Sequence, residues 1–295
     1  MVFFGRWVKV WAIISFLSLS LWAAYFLRSS YMIIYSLILE GQSGYIARQG
    51  IAFWAGVTGY HTRFLAGLIG ASTIALLSSK WEGCKKFNKL LALVVSLEAI
   101  YFALLLPYSQ YMLSFRFMVP RLFLVSSYVV QPVVAAPLLF FLAYKIWKYD
   151  GTPKTPSIWK WAGIAFAGYI IALWSNVTLG RWFDMLYAEG TAFLESITVS
   201  VGFFTSTIVM TLAVAFSVIA AFLLFKQRRL KARMHVGIAL SLVGLHYIFY
   251  TLYNFYVGLS FDWVMLIDVW TIPFLGLGIA LMLNKRVPVE KSKKS

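Results

Sequence analysis

Apolar residues in this chain gather into blocks of about 20, separated by short polar or basic stretches. Wound as an α-helix, such a block crosses a hydrocarbon layer of about 30 Å. The alternation predicts eight helices, at 8–27, 53–79, 90–107, 121–144, 158–177, 197–225, 234–256 and 264–284. Arg6 and Lys9 precede the first block, as in a signal sequence. Its apolar core is long, however, and no small-x-small cleavage site follows, so the block is expected to stay in the mature chain.

Composition agrees with this pattern. Of 295 residues, 61% are hydrophobic and 12% charged, against roughly 25% charged in soluble domains; the mean hydropathy is +0.80. The net charge of +16 is the excess expected when basic residues orient a membrane protein. It is therefore not taken as a sign of nucleic acid, which is not an expected partner; membrane lipids are. Cys84 stands alone, which excludes an intrachain disulfide and CxxC chemistry.

Charge tests the span count. With the N-terminus inside, all 15 lysines and 20 of the 26 cationic residues fall on the inner side. The other six, Arg28, Arg48, Arg63, Arg116, Arg121 and Arg181, fall outside with six of the ten acids. A wrong count would scramble this alternation.

The chain also resembles itself. "ASTIALLSSK" (71–80) aligns with "SVIAAFLLFK" (217–226), and "SLEAIYF" (96–102) with "GLHYIFY" (244–250). "VVQPVVAAPLLFFLAYK" (129–145) aligns with "WTIPFLGLGIALMLNKR" (270–286), setting Pro132 opposite Pro273. "ILEGQ" (38–42) aligns with "YAEGT" (187–191). These matches keep chain order at separations of 141 to 149 residues. They predict a first four-helix repeat at 1–148, a cytoplasmic linker at 149–156, and a second repeat at 157–295 with a basic tail. An even number of spans in each half makes the repeats parallel, related by an axis along the membrane normal.

The two Glu-Gly words follow apolar stretches within outer segments, 28–50 and 178–196. Each stretch is expected to lie in the membrane interface before a turn. Glycine permits that turn, and Glu40 or Glu189 keeps it in water.

Enzyme signatures such as HExxH, GxSxG and a Walker glycine loop are absent from the sequence. His61, His235 and His246 fall at three different depths, which disfavours bis-histidine haem. Neither a catalytic residue nor a metal site is assigned. Two groupings remain as candidates. An outer anion or vestibule cluster collects Arg63, His61, Arg116, Arg121, Arg181, Glu40 and Glu189. A proton or substrate path collects Glu98 and His246 near the midplane, with Asp268 and Gln131. Ionisable groups at that depth cost several kcal/mol unless paired or hydrated, and mark ion or proton pathways. If the third and seventh helices face each other, Glu98 and His246 are expected to approach within one hydrogen bond or one bridging water.

The reading is thus an all-α polytopic membrane protein of the cell membrane, with eight transmembrane helices in two parallel repeats and both termini cytoplasmic. The expected function is proton-coupled transport of a small or anionic solute between the halves, without catalytic activity or a resident cofactor. The alternative is a non-catalytic membrane subunit, the quinone-interacting anchor of a respiratory electron-transfer complex. Its partners would then be other membrane or redox subunits.

Overall fold

The computed structural model describes residues 5–41, 50–78, 84–114, 129–149, 157–175, 178, 197–256 and 261–284. Within them, the side chains of residues 37, 110–114, 157, 197–203, 250–256 and 261–268 are not described. The described chain is all-helical, with eight helices: α1 (Arg6–Leu39), α2 (Gly50–Leu77), α3 (Lys85–Ser114), α4 (Gln131–Trp147), α5 (Ser157–Trp174), α6 (Ile197–Phe225), α7 (Arg229–Tyr256) and α8 (Phe261–Leu283).

Four helices contain stretches long and apolar enough to cross a membrane: Arg6–Ser36, Lys85–Ser109, Phe204–Phe225 and Arg229–Phe249. Gln131–Trp147, Ile158–Trp174 and Val269–Leu283 are shorter apolar helices. The outer surface is apolar too, with Leu76, Ile208, Phe222 and Ile272 each more than half exposed. Contiguous apolar surface on this scale calls for a partner other than water. Several buried hydroxyls are satisfied within their own helix, as where Ser30 donates to the Phe26 carbonyl and Ser217 to that of Val214. These features are compatible with a helical membrane protein.

Each helix packs against the next along the chain, and α8 packs back onto α1. The turn from α6 to α7 is three residues long, with Gln227 in the left-handed region at φ 58°. The amide of Arg228 reaches back to the Leu223 carbonyl at 2.8 Å. Short connections of this kind force antiparallel neighbours.

Two expected boundaries are corrected. Residues 28–39 do not form a separate interfacial segment, because α1 runs unbroken for 34 residues, about 51 Å at 1.5 Å per residue. It stops where Gly41 takes φ +68°, a conformation that only glycine adopts without strain. Likewise α3 does not stop at Pro107 but carries the proline inside the helix and continues to Ser114. Pro107 cannot donate to the carbonyl one turn back, and neighbouring residues hold the helix through this gap. Gly56 of α2, for example, has room only because it lacks a Cβ next to the Tyr108 ring.

Close backbone approaches join α1 to α2, at Gly67, and α7 to α8, at Gly278. A Cβ added at Gly278 would lie 2.6 Å from the Gly237 carbonyl oxygen and 2.7 Å from the Ser241 amide nitrogen. Small residues at such crossings let helices gain packing contacts where lipid offers no hydrophobic drive. Gly278→Ala is therefore expected to destabilise the protein by about 1–3 kcal/mol through overpacking against rigid backbone. Gly59→Ala, whose Cβ would meet nothing nearer than 3.4 Å, should be neutral or stabilising by up to about 1 kcal/mol from helix propensity. Thermal unfolding of the two variants in detergent checks both signs.

Candidate functional site: a buried arginine–glutamate pair

Arg63 lies thirteen residues into the 28-residue α2, close to its middle. Glu98 lies thirteen residues after Lys85 in the neighbouring α3. Packing of α2 against α3 brings Arg63 Nε to 3.5 Å from Glu98 Oε2, with the two side chains only 7% and 14% exposed. That distance is longer than the ~2.8 Å of a charge-assisted hydrogen bond. The contact is ionic, and both Arg63 Nε and Glu98 Oε1 are buried without a hydrogen-bond partner.

Aromatic faces complete the surroundings of the arginine. Its guanidinium carbon lies 4.2 Å from the Tyr101 ring centroid, 4.5 Å from Trp22, 5.6 Å from Trp270 and 5.7 Å from Phe102. Tyr101 and Tyr169 also interact with the guanidinium through their phenol groups. Helices α1, α3, α5 and α8 thus all reach the one cation on α2. A desolvated cation over an aromatic face gains up to about 2 kcal/mol, so several faces together offset part of the cost of taking the charge out of water. Spacing explains why α3 contributes so much: Tyr101 and Phe102 stand three and four residues after Glu98, on the same helix face.

This arrangement corrects the outer cluster. Arg63 belongs to the interior, because α2 starts at Gly50 and places about 20 Å of helix beyond it. His61 is near in sequence but serves another contact. Its Nδ1 donates to the Val57 carbonyl at 2.8 Å, and Nε2 lies 2.9 Å from the Tyr31 hydroxyl on α1. Glu40 is exposed, at the C-terminal end of α1. Arg116, Arg121, Arg181 and Glu189 lie outside the described residues.

The path residues separate as well. Glu98 takes Arg63, not His246, as its partner. His246 is 1% exposed on α7, with Nδ1 2.8 Å from Ser206 Oγ and 3.1 Å from the Ser206 carbonyl on α6. A run of aromatic rings connects the two places. Trp22 meets Trp270, Trp270 stacks on Phe274, Phe274 on Tyr247, and Tyr247 touches His246. In place of the expected Glu98–His246 contact, each group meets a polar partner on the preceding helix. Gln131 is the first residue of α4. Asp268 lies on α8, two residues before Trp270, with its side chain outside the description.

Sequence reasoning missed Trp22, Tyr101, Phe102, Tyr169, Trp270 and Ser206. Aromatic abundance alone is no guide to such a site, because membrane interfaces are also rich in Trp and Tyr. The spacing of Tyr101 and Phe102 from Glu98 was the usable signal. Among the described residues, no group of three His, Cys, Asp or Glu side chains comes together to hold a metal.

Comparison with models of protein families, with curated proteins and with solved structures finds no match for this chain. What the fold and site define is a class: an all-helical protein, with the make-up of a membrane protein, that buries an ion pair among aromatic rings.

Removing one member of a buried pair typically costs about 3–5 kcal/mol, whereas replacing both by apolar residues is often neutral. Glu98→Met should be the more damaging single change, since the arginine it leaves behind cannot shed its proton. Arg63→Met should cost less, and the double variant should recover most of the lost stability. A double-mutant cycle on detergent unfolding measures the coupling; additive losses would show that the pair does not act as a unit.

Proposed function

We propose that this chain is an eight-span membrane transport protein of the cell membrane that moves a small anionic solute, coupled to protons, between two four-helix halves. The observation carrying this reading is the Arg63–Glu98 pair, buried in the interior with an unsatisfied atom on each partner. A buried charged atom without a hydrogen bond costs more than the ~1–3 kcal/mol of a neutral one. Such a place favours a ligand or a proton that satisfies it. An arginine in a dry site is suited to holding an anion by two hydrogen bonds.

The packing order supports the two-half layout. Advancing every helix label by four maps the set of neighbours onto itself: α1–α2 becomes α5–α6, α2–α3 becomes α6–α7, and α4–α5 becomes α8–α1. A parallel repeat of 1–148 and 157–295 joined through 149–156 requires this. The α2–α3 interface holds the Arg63–Glu98 pair, and its counterpart α6–α7 holds the Ser206–His246 contact. On this reading the first half carries the ion chemistry and the second half a polar latch.

Purified protein in liposomes is expected to take up labelled small anions above the protein-free background. Arg63→Gln should lower that uptake by at least about tenfold, the equivalent of 1.4 kcal/mol of lost anion contact. Equal uptake by the variant would refute the role of Arg63. The quinone-anchor reading rests on the same acid set among flat aromatic faces; quinone retained by the purified protein, with no anion uptake, would favour it.

Eight spans with both termini inside predict opposite sidedness for Thr152, in the linker, and Thr191, in the outer segment. In a variant lacking Cys84, single cysteines at these positions should differ in labelling by a membrane-impermeant reagent. Labelling of both from one side would refute the span count.

A further inference from the structure

We infer that the Arg63–Glu98 pair is an exchange site at which a planar monoanion takes the place of Glu98 on the guanidinium while Glu98 takes up one proton. This rests on the transport reading above and adds to it the substrate class and the stoichiometry. An arginine remains protonated in a protein, so the site always holds one positive charge. An uncompensated charge in a dry interior costs several kcal/mol. Glu98 can therefore leave Arg63 only when another negative charge arrives, and a carboxyl that has lost its partner is itself tolerable only as the neutral acid. Adding one anion and one proton together leaves the net charge of the site at zero. The only bond made is the O–H bond on the carboxyl, and release reverses both steps.

The geometry provides a place for each arrival. Glu98 Oε1 is buried with no hydrogen-bond partner, open to a proton. Arg63 Nε is likewise without one, and its 3.5 Å contact to Oε2 falls short of a charge-assisted hydrogen bond. An incoming oxygen that approaches to ~2.8 Å would make a better contact than the one it replaces. The guanidinium stays in place during the exchange, because Tyr101 and Trp22 hold it from within 4.5 Å.

The surroundings select the ligand. The charged or titratable groups interacting with the pair are Tyr101 from α3 and Tyr169 from α5. The groups presented by α1 and α8 are the rings of Trp22 and Trp270, and α4 brings Ala135 and Ala136 to the cluster beside α3. Nothing described here neutralises a second negative charge, which restricts the ligand to a monoanion. The Trp22 ring centroid lies 5.8 Å from Tyr60, 6.3 Å from Tyr101 and 6.2 Å from Trp270. A flat apolar body stacks against such rings at favourable energy.

Benzenesulfonate is a suitable probe: a flat aromatic ring bearing a permanent single negative charge, and unable to carry a proton across a bilayer by itself. The full chain is reconstituted in liposomes containing a pH-sensitive dye, with the membrane potential set by potassium and valinomycin. Uptake is expected to acidify the lumen by one proton per anion and to be indifferent to the imposed potential. Glu98→Gln should still take up the anion, but without protons. Its accumulation should then respond to voltage, by about fifty-fold per 100 mV for a lone charge. Should that variant fail to fold, the wild-type protein in weakly buffered detergent should take up one proton per benzenesulfonate bound. Wild-type uptake that carries charge without protons overturns the exchange and leaves the transport reading standing. Chloride moving with protons while benzenesulfonate does not overturns the planar-ligand assignment. If neither anion binds or moves, both the exchange and the transport reading fail.

Discussion

One buried guanidinium sets the terms for the middle of this molecule. An arginine near the centre of a 28-residue helix in a largely apolar bundle has no water to turn to and cannot become neutral. The fold answers with a carboxylate on the adjacent helix and with aromatic faces from α1, α3 and α8. Helices far apart in sequence thereby acquire a shared contact. The aromatic cluster around Phe53, Tyr60, Tyr101 and Phe102, which is the largest buried cluster of the first half, grows outward from this point.

Close packing makes the site dry. Glycine and serine positions allow backbones to approach where a larger residue would hold them apart, as at Gly278 against Gly237 and Ser241. On the outer part of the helices, a hydroxyl–imidazole contact between Tyr31 and His61 ties the long α1 to α2. With the ion-pair side chains 7% and 14% exposed, a solute can reach Arg63 only if helices part.

The second half contributes differently. His246 is 1% exposed, and its contact on α6 is the hydroxyl of Ser206. The rings of Trp270, Phe274 and Tyr247 run from the arginine site toward it. Packed rings transmit displacement because dense interiors have little free volume. Movement of Trp270 when the arginine changes partner would therefore be felt at the α6–α7 interface.

Hydrophobic periodicity by itself determined the all-helical class and the approximate place of all eight helices, because block length and polar interruption are local properties. It also marked Glu98 and His246 as deeply placed, since depth follows from counting along one helix. Helix ends were less legible: α1 runs on past Arg28 to Leu39 and α3 runs through Pro107. In both cases contacts with neighbouring helices override the local signal at the boundary. Partner choice was decided only by the tertiary structure. The charge alternation assigned Arg63 to the outer side, and a repeat alignment paired Glu98 with His246. The folded chain instead joins Arg63 to Glu98 and His246 to Ser206. A sequence records how far a residue lies along its own helix, but the rotation and register of one helix against another come from side-chain packing across the interface. That packing determines which charge meets which.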